Sequence, residues 1–430
     1  MHQLTLTGEP HLTPRLETSV QRSGSLLQIP EGPNTIPCTH GLHRFPGKFI
    51  PNIPRYLIRE VLPKEASRTV FDPFCGSGTT LVEAALEGRT FLGADLDPLS
   101  VLISRAKTHL IEPRKLANLK LTLSTIDYTT PAPELVPAMR NIGHWFSEET
   151  IAQLSSIKRA CLSLPDGERD FGLVIFSSII RRVSNADDQT QKTYVSHTLP
   201  KSPPRPCELF PVFLARATRG MEEYARFLPA SPRGMVIRAD ARDMQSRVGF
   251  DDILTSPPYI DSIEYVYNQM LEYHWLASEL GLQSLDKLRA TQQQLIGFKA
   301  AGPELDALQI GQEFFPRHAE EFKALCDRIA AVSPVEESRV RMFFADYAKH
   351  VAAARGLQSP RDCYVTVIGN SRVRGSTIPT VDILSEIHQG LGYTLTDRFS
   401  YAIRRHYMKF PRHASSGKIG EDNILIFRAE

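Results

Sequence analysis

The sequence predicts an α/β protein, a doubly wound and mostly parallel sheet carrying two insertions. Three observations point there. A β-loop-α-β-α unit occupies the stretch from Thr69 to about Lys107. Short apolar, β-branched runs return at Met235-Val236-Ile237, at Asp252-Ile253-Leu254 and in the last seventy residues. Between these core segments lie two long stretches with helical spacing and turn residues but no clear strand.

The elements follow in order. Residues 1–39 are rich in Thr, Pro, Ser and Gly without periodicity and read as an arm. Thr69-Val70-Phe71 is a strand that stops at Asp72-Pro73, because proline gives a ladder no donor. Gly76-Ser77-Gly78 makes a tight turn into a helix from Thr79 to Leu86, closed by Gly88. Thr90 to Ala94 is the second strand, ending at Asp95, and Pro98 opens a helix to about Lys107. Later strands are expected at Met235–Ile237, Asp252–Leu254, Tyr364–Ile368, Thr394–Ile403 and Asn423–Phe427, with a helix from Val381 to Leu391. The predicted divisions are therefore 1–39, 40–110, 111–234, 235–264, 265–345 and 346–430, the third and fifth being the insertions.

Composition narrows the function classes. The 430 residues are 42% apolar and 23% charged, ordinary values for a globular chain. With 50 Lys and Arg against 48 Asp and Glu, the net charge of +2 makes no global basic field, so a polyanion would need a local patch. Six scattered cysteines without a C-x-x-C pair argue against a disulfide scaffold or zinc cluster and for reduced thiols. The strongest apolar run, Leu173 to Ile180, is cut by Arg181 and Arg182, so a cytoplasmic protein with no membrane span is expected.

Two motifs carry chemistry. The first is Asp72-Pro73-Phe74-Cys75-Gly76-Ser77-Gly78-Thr79-Thr80, between strand and helix. Glycines let a backbone approach a ligand, and a helix start offers unpaired N–H groups. The string lacks the Gly-Lys-Ser/Thr of a phosphate loop and the third glycine of a dinucleotide site. What remains is Asp72, able to hold a cationic amino group, and Asp95 at the next strand end, placed to accept two ribose hydroxyls. That pair suits S-adenosylmethionine.

The second is Ser256-Pro257-Pro258-Tyr259, directly after a strand. Two prolines stiffen the loop and present carbonyl oxygens instead of donors. Such a loop can accept hydrogen bonds from the exocyclic amine of a nucleobase, whose lone pair is otherwise conjugated with the ring. The Ser256 hydroxyl and Pro257 carbonyl are the acceptors, and the Tyr259 ring stacks on a flipped base. On that reading Tyr259→Phe should be milder than Tyr259→Ala, because the ring keeps its stacking face.

With both motifs in order, the chain resembles the amino (exocyclic N) DNA methyltransferases, and the Ser-Pro-Pro-Tyr form resembles their N4-cytosine branch. The resemblance spans roughly 40–110, 235–264 and 362–430. It implies a seven-stranded S-adenosylmethionine-dependent core. It also implies that His43, Phe45, Pro46 and Lys48 cover the methionine end of the cofactor, that Phe74 and Gly76 lie in the cofactor loop, and that Asp240 sits near the adenine. Duplex DNA is then the substrate, no metal is required, and the resemblance leaves room for a cognate restriction endonuclease and for a homodimer. A prokaryotic, nucleoid-associated protein is the implied setting.

Rival readings are an N6-adenine DNA enzyme, an RNA guanine-N2 methyltransferase and a catalytically silent subunit that binds cofactor and nucleic acid. A C5-cytosine enzyme would need a nucleophilic cysteine after proline, and neither Cys38 nor Cys207 follows a core strand. The first insertion is the candidate for target recognition through Arg181, Arg182, Arg216 and Arg219; a second candidate is Arg404, Arg405 and Lys409. The second insertion is more acidic and reads as helical support or a dimer contact.

Overall fold

The computed structural model describes Gly24 and residues 37–188, 192–196, 198, 200–244, 249–260, 265–282, 290, 293–297, 306–402 and 421–430. Its strands are β1 (Thr69–Asp72), β2 (Thr90–Asp95), β3 (Gly234–Arg238), β4 (Asp252–Thr255), β5 (Cys363–Ile368), β6 (Ser371–Val373), β7 (Ser376–Ile378), β8 (Tyr393–Ala402) and β9 (Glu421–Ala429). Seven of them form one sheet in the order β3-β2-β1-β4-β5-β9-β8. The first five are parallel; β9 runs antiparallel to both β5 and β8. The order reverses between β1 and β4, so the loops leaving these strands part and leave a crevice at their carboxyl ends. This is the α/β, mostly parallel sheet expected. β4 and β5 are buried throughout, as strands covered on both faces must be.

The helices described are α1 (Asn52–Glu60), α2 (Thr79–Leu86), α3 (Pro98–Thr108), α4 (Pro113–Ser124), α5 (Ile142–Trp145), α6 (Glu148–Leu162), α7 (Asp166–Val183), α8 (Pro206–Phe227), α9 (Tyr265–Asn268), α10 (Met270–Trp275), α11 (Ala307–Phe314), α12 (Ala319–Ala330), α13 (Pro334–Arg355) and α14 (Thr380–Gly390). Local chemistry sets several starts. Asp97 caps α3 by accepting from the Leu99 and Ser100 N–H groups, and Pro98 follows at the first helical position. Ser333 and Pro334 open α13 in the same way. The small hairpin β6-β7 turns through Arg374 and Gly375, both with positive φ (47° and 81°), the geometry of a tight two-residue hairpin turn.

Both stretches read as insertions contribute to the apolar clusters of the core. The 111–234 stretch does not stand apart from the sheet: Phe171, Val174 and Phe176 of α7 are fully buried in one apolar cluster with Val70, Leu81 and Leu99. α7 packs on α3, which itself lies on β2 and β3, so this stretch reaches the sheet through that helix. The division at 345 cuts through α13, whose Phe343, Tyr347 and Val351 pack with Ile253 and Tyr364 on the other face. Among the described residues no helix is long and apolar enough to cross a membrane.

Candidate active site

At the carboxyl end of β1 the chain turns through a loop that only glycine can make. Gly76 and Gly78 have φ of 48° and 75°. A Cβ at Gly78 would stand 2.8 Å from Ser104 Oγ, and one at Gly76 would stand 3.3 Å from the Phe45 ring. The loop is propped from beneath. The Cys75 N–H donates to Ala94 O (3.0 Å), Ser104 Oγ to Gly76 O (2.7 Å) and Lys107 Nζ to Ser77 O (2.8 Å). Burial, with Lys48 nearby, holds the Lys107 ammonium well below the ordinary lysine range. Cys75, Ser77, Thr79 and Thr80, four of the residues expected at the cofactor, are buried.

Three acids line the strand ends. Asp72 was expected to hold a cationic amino group; the fold uses it first as a brace. Its Oδ1 accepts from the Phe74 N–H (3.1 Å) and from Thr255 Oγ1 (2.6 Å), which ties the end of β1 to the end of β4. Burial pushes its pKa up to about 6. Asp95 accepts the Gly76 N–H on one oxygen and the Asp97 N–H on the other (2.9 Å each). A carboxylate has about four acceptor positions, so two remain for hydroxyls. Burial, then the neighbouring Asp97 charge, pushes Asp95 up to about 7. Asp97 in turn receives the Tyr273 hydroxyl from α10.

The 40–48 segment folds over this loop. His40 Nε2 meets Glu83 Oε1 at 2.7 Å, and Arg55 grips the same carboxylate through two nitrogens (2.7 and 2.8 Å), all of them buried. Against burial, which would raise it, His40 and Arg55 hold Glu83 below its ordinary value. His43 Nε2 meets Ser177 Oγ of α7 at 3.0 Å, and burial takes its pKa down to about 3. Lys48 donates to His40 O (2.5 Å), and burial lowers it to about 8. His43 therefore ties the segment to α7 and Lys48 closes the segment on itself, while Phe45 lies against Gly76 and Phe74 packs edge-on to His350 (4.7 Å).

The loop Ser256-Pro257-Pro258-Tyr259 leaves β4 beside the glycine loop, joined to it by the Thr255 to Asp72 bond. Ser256, Pro258 and Tyr259 are half-buried and Pro257 is buried. The Tyr259 hydroxyl donates to Asp422 Oδ1 of β9 (2.7 Å), reaching across β5. Burial and then the Asp422 charge push the phenol far above its usual range, and burial raises Asp422.

Other expected residues have different surroundings. Asp240 is paired with Arg242, whose guanidinium also donates to Asp346 (2.7 Å); against burial, Arg242 keeps Asp240 below its ordinary value. Arg181, proposed from the sequence as a DNA contact, turns inward: it donates to the carbonyls of Asn268 (3.1 Å), Asp187 (2.9 Å) and Lys192 (2.9 Å) and so fastens loops to α7. Arg182 and Arg216 are exposed, with their guanidiniums 5.3 and 4.4 Å from the Phe213 ring centre. Arg219 is exposed as well. Arg404, Arg405 and Lys409 lie outside the described residues. Cys38 is buried, and burial raises its thiol to about 12, far from a nucleophile's range.

Sequence reasoning missed Asp97, Tyr273 and Asp422. Asp97 carried a signal, since Asp before Pro at a helix start is an N-cap signature. Asp422 carried none, being 163 residues from its partner.

The chain is similar to several known proteins. A family profile described as DNA methylase, of the N6/N4 methyltransferase type, matches residues 21–104. The chain is 26% identical to the type II methyltransferase M.MvaI of Kocuria varians over 97% of its own length and 95% of that protein. It is 34% identical to the type II methyltransferase M.MjaII of Methanocaldococcus jannaschii over 20% of this chain and 16% of that protein. The solved structure of the rRNA methyltransferase aviRa from Streptomyces viridochromogenes is similar at 12% identity and a TM-score of 0.33, covering 90% of this chain and 88% of that one.

Proposed function

We propose that this chain, similar along almost its whole length to a type II methyltransferase, transfers a methyl group from S-adenosylmethionine to the N4 amine of cytosine in duplex DNA. The observation that carries the reading is the position of the Ser256-Pro257-Pro258-Tyr259 loop. It leaves β4 at the point where the sheet order reverses, and the Thr255 to Asp72 bond holds it beside the glycine loop.

When bound, S-adenosylmethionine supplies a methyl group on a sulfonium, an electrophile that needs no further activation. Asp95 is suited to accept ribose hydroxyls, and the glycine loop offers a backbone that no Cβ shields. Ser256 Oγ and the Pro257 carbonyl accept the two N–H groups of a cytosine amine turned out of the helix, which favours a pyramidal and more nucleophilic nitrogen. Tyr259 supports the ring of that base. Much of the rate then comes from positioning and fixed dipoles. The methylated amine is strongly acidic and loses its proton without a dedicated base. Exposed Arg182 and Arg216 suit contact with DNA phosphates, and a cognate restriction endonuclease is the partner this reading implies.

Nucleoside mass spectrometry of DNA from cells expressing the chain tests the reading. N4-methylcytosine is expected. Finding only N6-methyladenine would reassign the base, and methylation confined to RNA would overturn the substrate.

A further inference from the structure

The start of α10 carries polar atoms that the surrounding fold leaves unsatisfied. Gln269 is 4% exposed, and neither its amide oxygen nor its amide nitrogen has a hydrogen-bond partner among the described residues. Glu272 is 5% exposed, and its Oε2 likewise has none among them. A buried polar atom left without a partner costs about 1–3 kcal/mol, so several close together in one helix turn call for a ligand that completes them.

Their neighbours say where that ligand would be. Gln269 is the cap residue just before α10, and its backbone carbonyl accepts the Tyr273 N–H (3.0 Å). The Tyr273 hydroxyl reaches Asp97, whose N–H donates to Asp95, the acid suited to the ribose. On the other side the positive charges that act on Glu272 are those of Arg181 and of the exposed Arg44, which donates to Asp188 O (3.5 Å). Arg44 adjoins His43 and Phe45, in the segment that lies over Gly76. The Asn268 carbonyl beside this helix turn is fixed by Arg181 (3.1 Å) and by Thr193 Oγ1 (2.9 Å), so Gln269 and Glu272 are held in place. Burial pushes Glu272 up to about 7, which a cationic partner would reverse.

From this we infer that Gln269 and Glu272 receive the amino-acid end of S-adenosylmethionine, Glu272 accepting from its ammonium and the Gln269 amide and Arg44 donating to its carboxylate. A zwitterion is the ligand class that an acid, an amide and a guanidinium together match. Asp72, the other acid at hand, already braces two strands. The inference rests on the cofactor reading above.

Calorimetry on the full chain separates the two. S-adenosylhomocysteine keeps the amino-acid end, whereas 5′-methylthioadenosine lacks it. Glu272→Gln and Gln269→Leu should each weaken S-adenosylhomocysteine at least tenfold and leave 5′-methylthioadenosine within twofold of wild type. Variants that bind both ligands as wild type does, or that lose both equally, overturn the inference. Loss of methyl transfer with both affinities intact would place the target base against these side chains and overturns it too. A wild-type chain that binds neither ligand overturns the cofactor reading itself.

Discussion

Changing Tyr259 to Phe removes one oxygen and keeps the whole stacking face, so a pure stacking role predicts almost no effect. The structure predicts a substantial one. The phenol donates to Asp422 Oδ1 at 2.7 Å in a site where burial already raises the Asp422 pKa. A hydrogen bond to a charged acceptor contributes about 1.5–3 kcal/mol. If that energy fixes the ring where the base must rest, its loss slows methyl transfer about 10- to 150-fold, at roughly 1.4 kcal/mol per tenfold. The assay is single-turnover transfer of labelled methyl to unmodified DNA, with cofactor affinity measured alongside. Tyr259→Phe and Asp422→Ala should each fall in that range with cofactor affinity unchanged, and the double variant should be no slower than the worse single one. Asp422→Asn, which still accepts the bond, should recover most of the rate. A Tyr259→Phe enzyme within twofold of wild type, or fully additive losses, would refute the reasoning.

Three more outcomes are expected. Asp95 is raised to about 7 and accepts best when ionised, so cofactor affinity should climb as pH rises from 6 to 8 and fall away below; calorimetry on Asp95→Asn should show lower affinity and a flattened climb, and an unchanged pH slope would show the acid is not at the ribose. Glu83→Ala leaves Arg55 and His40 buried without their carboxylate and should cost about 3–5 kcal/mol in denaturant unfolding, a loss under 1 kcal/mol being incompatible with the buried ion pair. Arg182→Ala with Arg216→Ala should weaken DNA binding and reduce the slope of log affinity against log salt by about 0.9 for each phosphate that is no longer neutralised, whereas an anisotropy titration with the wild-type slope would clear this face of DNA.

Much of this molecule can be read from local sequence. The strands and the helices after Gly78 and Asp97 were legible because their signals, alternating apolar runs, Gly at positive φ and Pro at a helix start, act over a few residues. The two chemical motifs were legible for the same reason, each being one continuous loop. What a side chain does depends instead on partners brought together by the sheet order. Asp72 became a brace because β4 lies beside β1, and Tyr259 gained Asp422 because β9 inserts next to β5. Arg181 reads as a surface charge in the chain, yet α7 is buried among α3, α6, α8 and α10, and its guanidinium was left to satisfy carbonyls. The class of sheet and the two loops can be read from the chain alone, because backbone preference and burial pattern are local. Which acids are committed to the fold, and which buried polar groups have no partner among the described residues, depends on the packed chain, because pairings such as Thr255 with Asp72 join residues 183 positions apart.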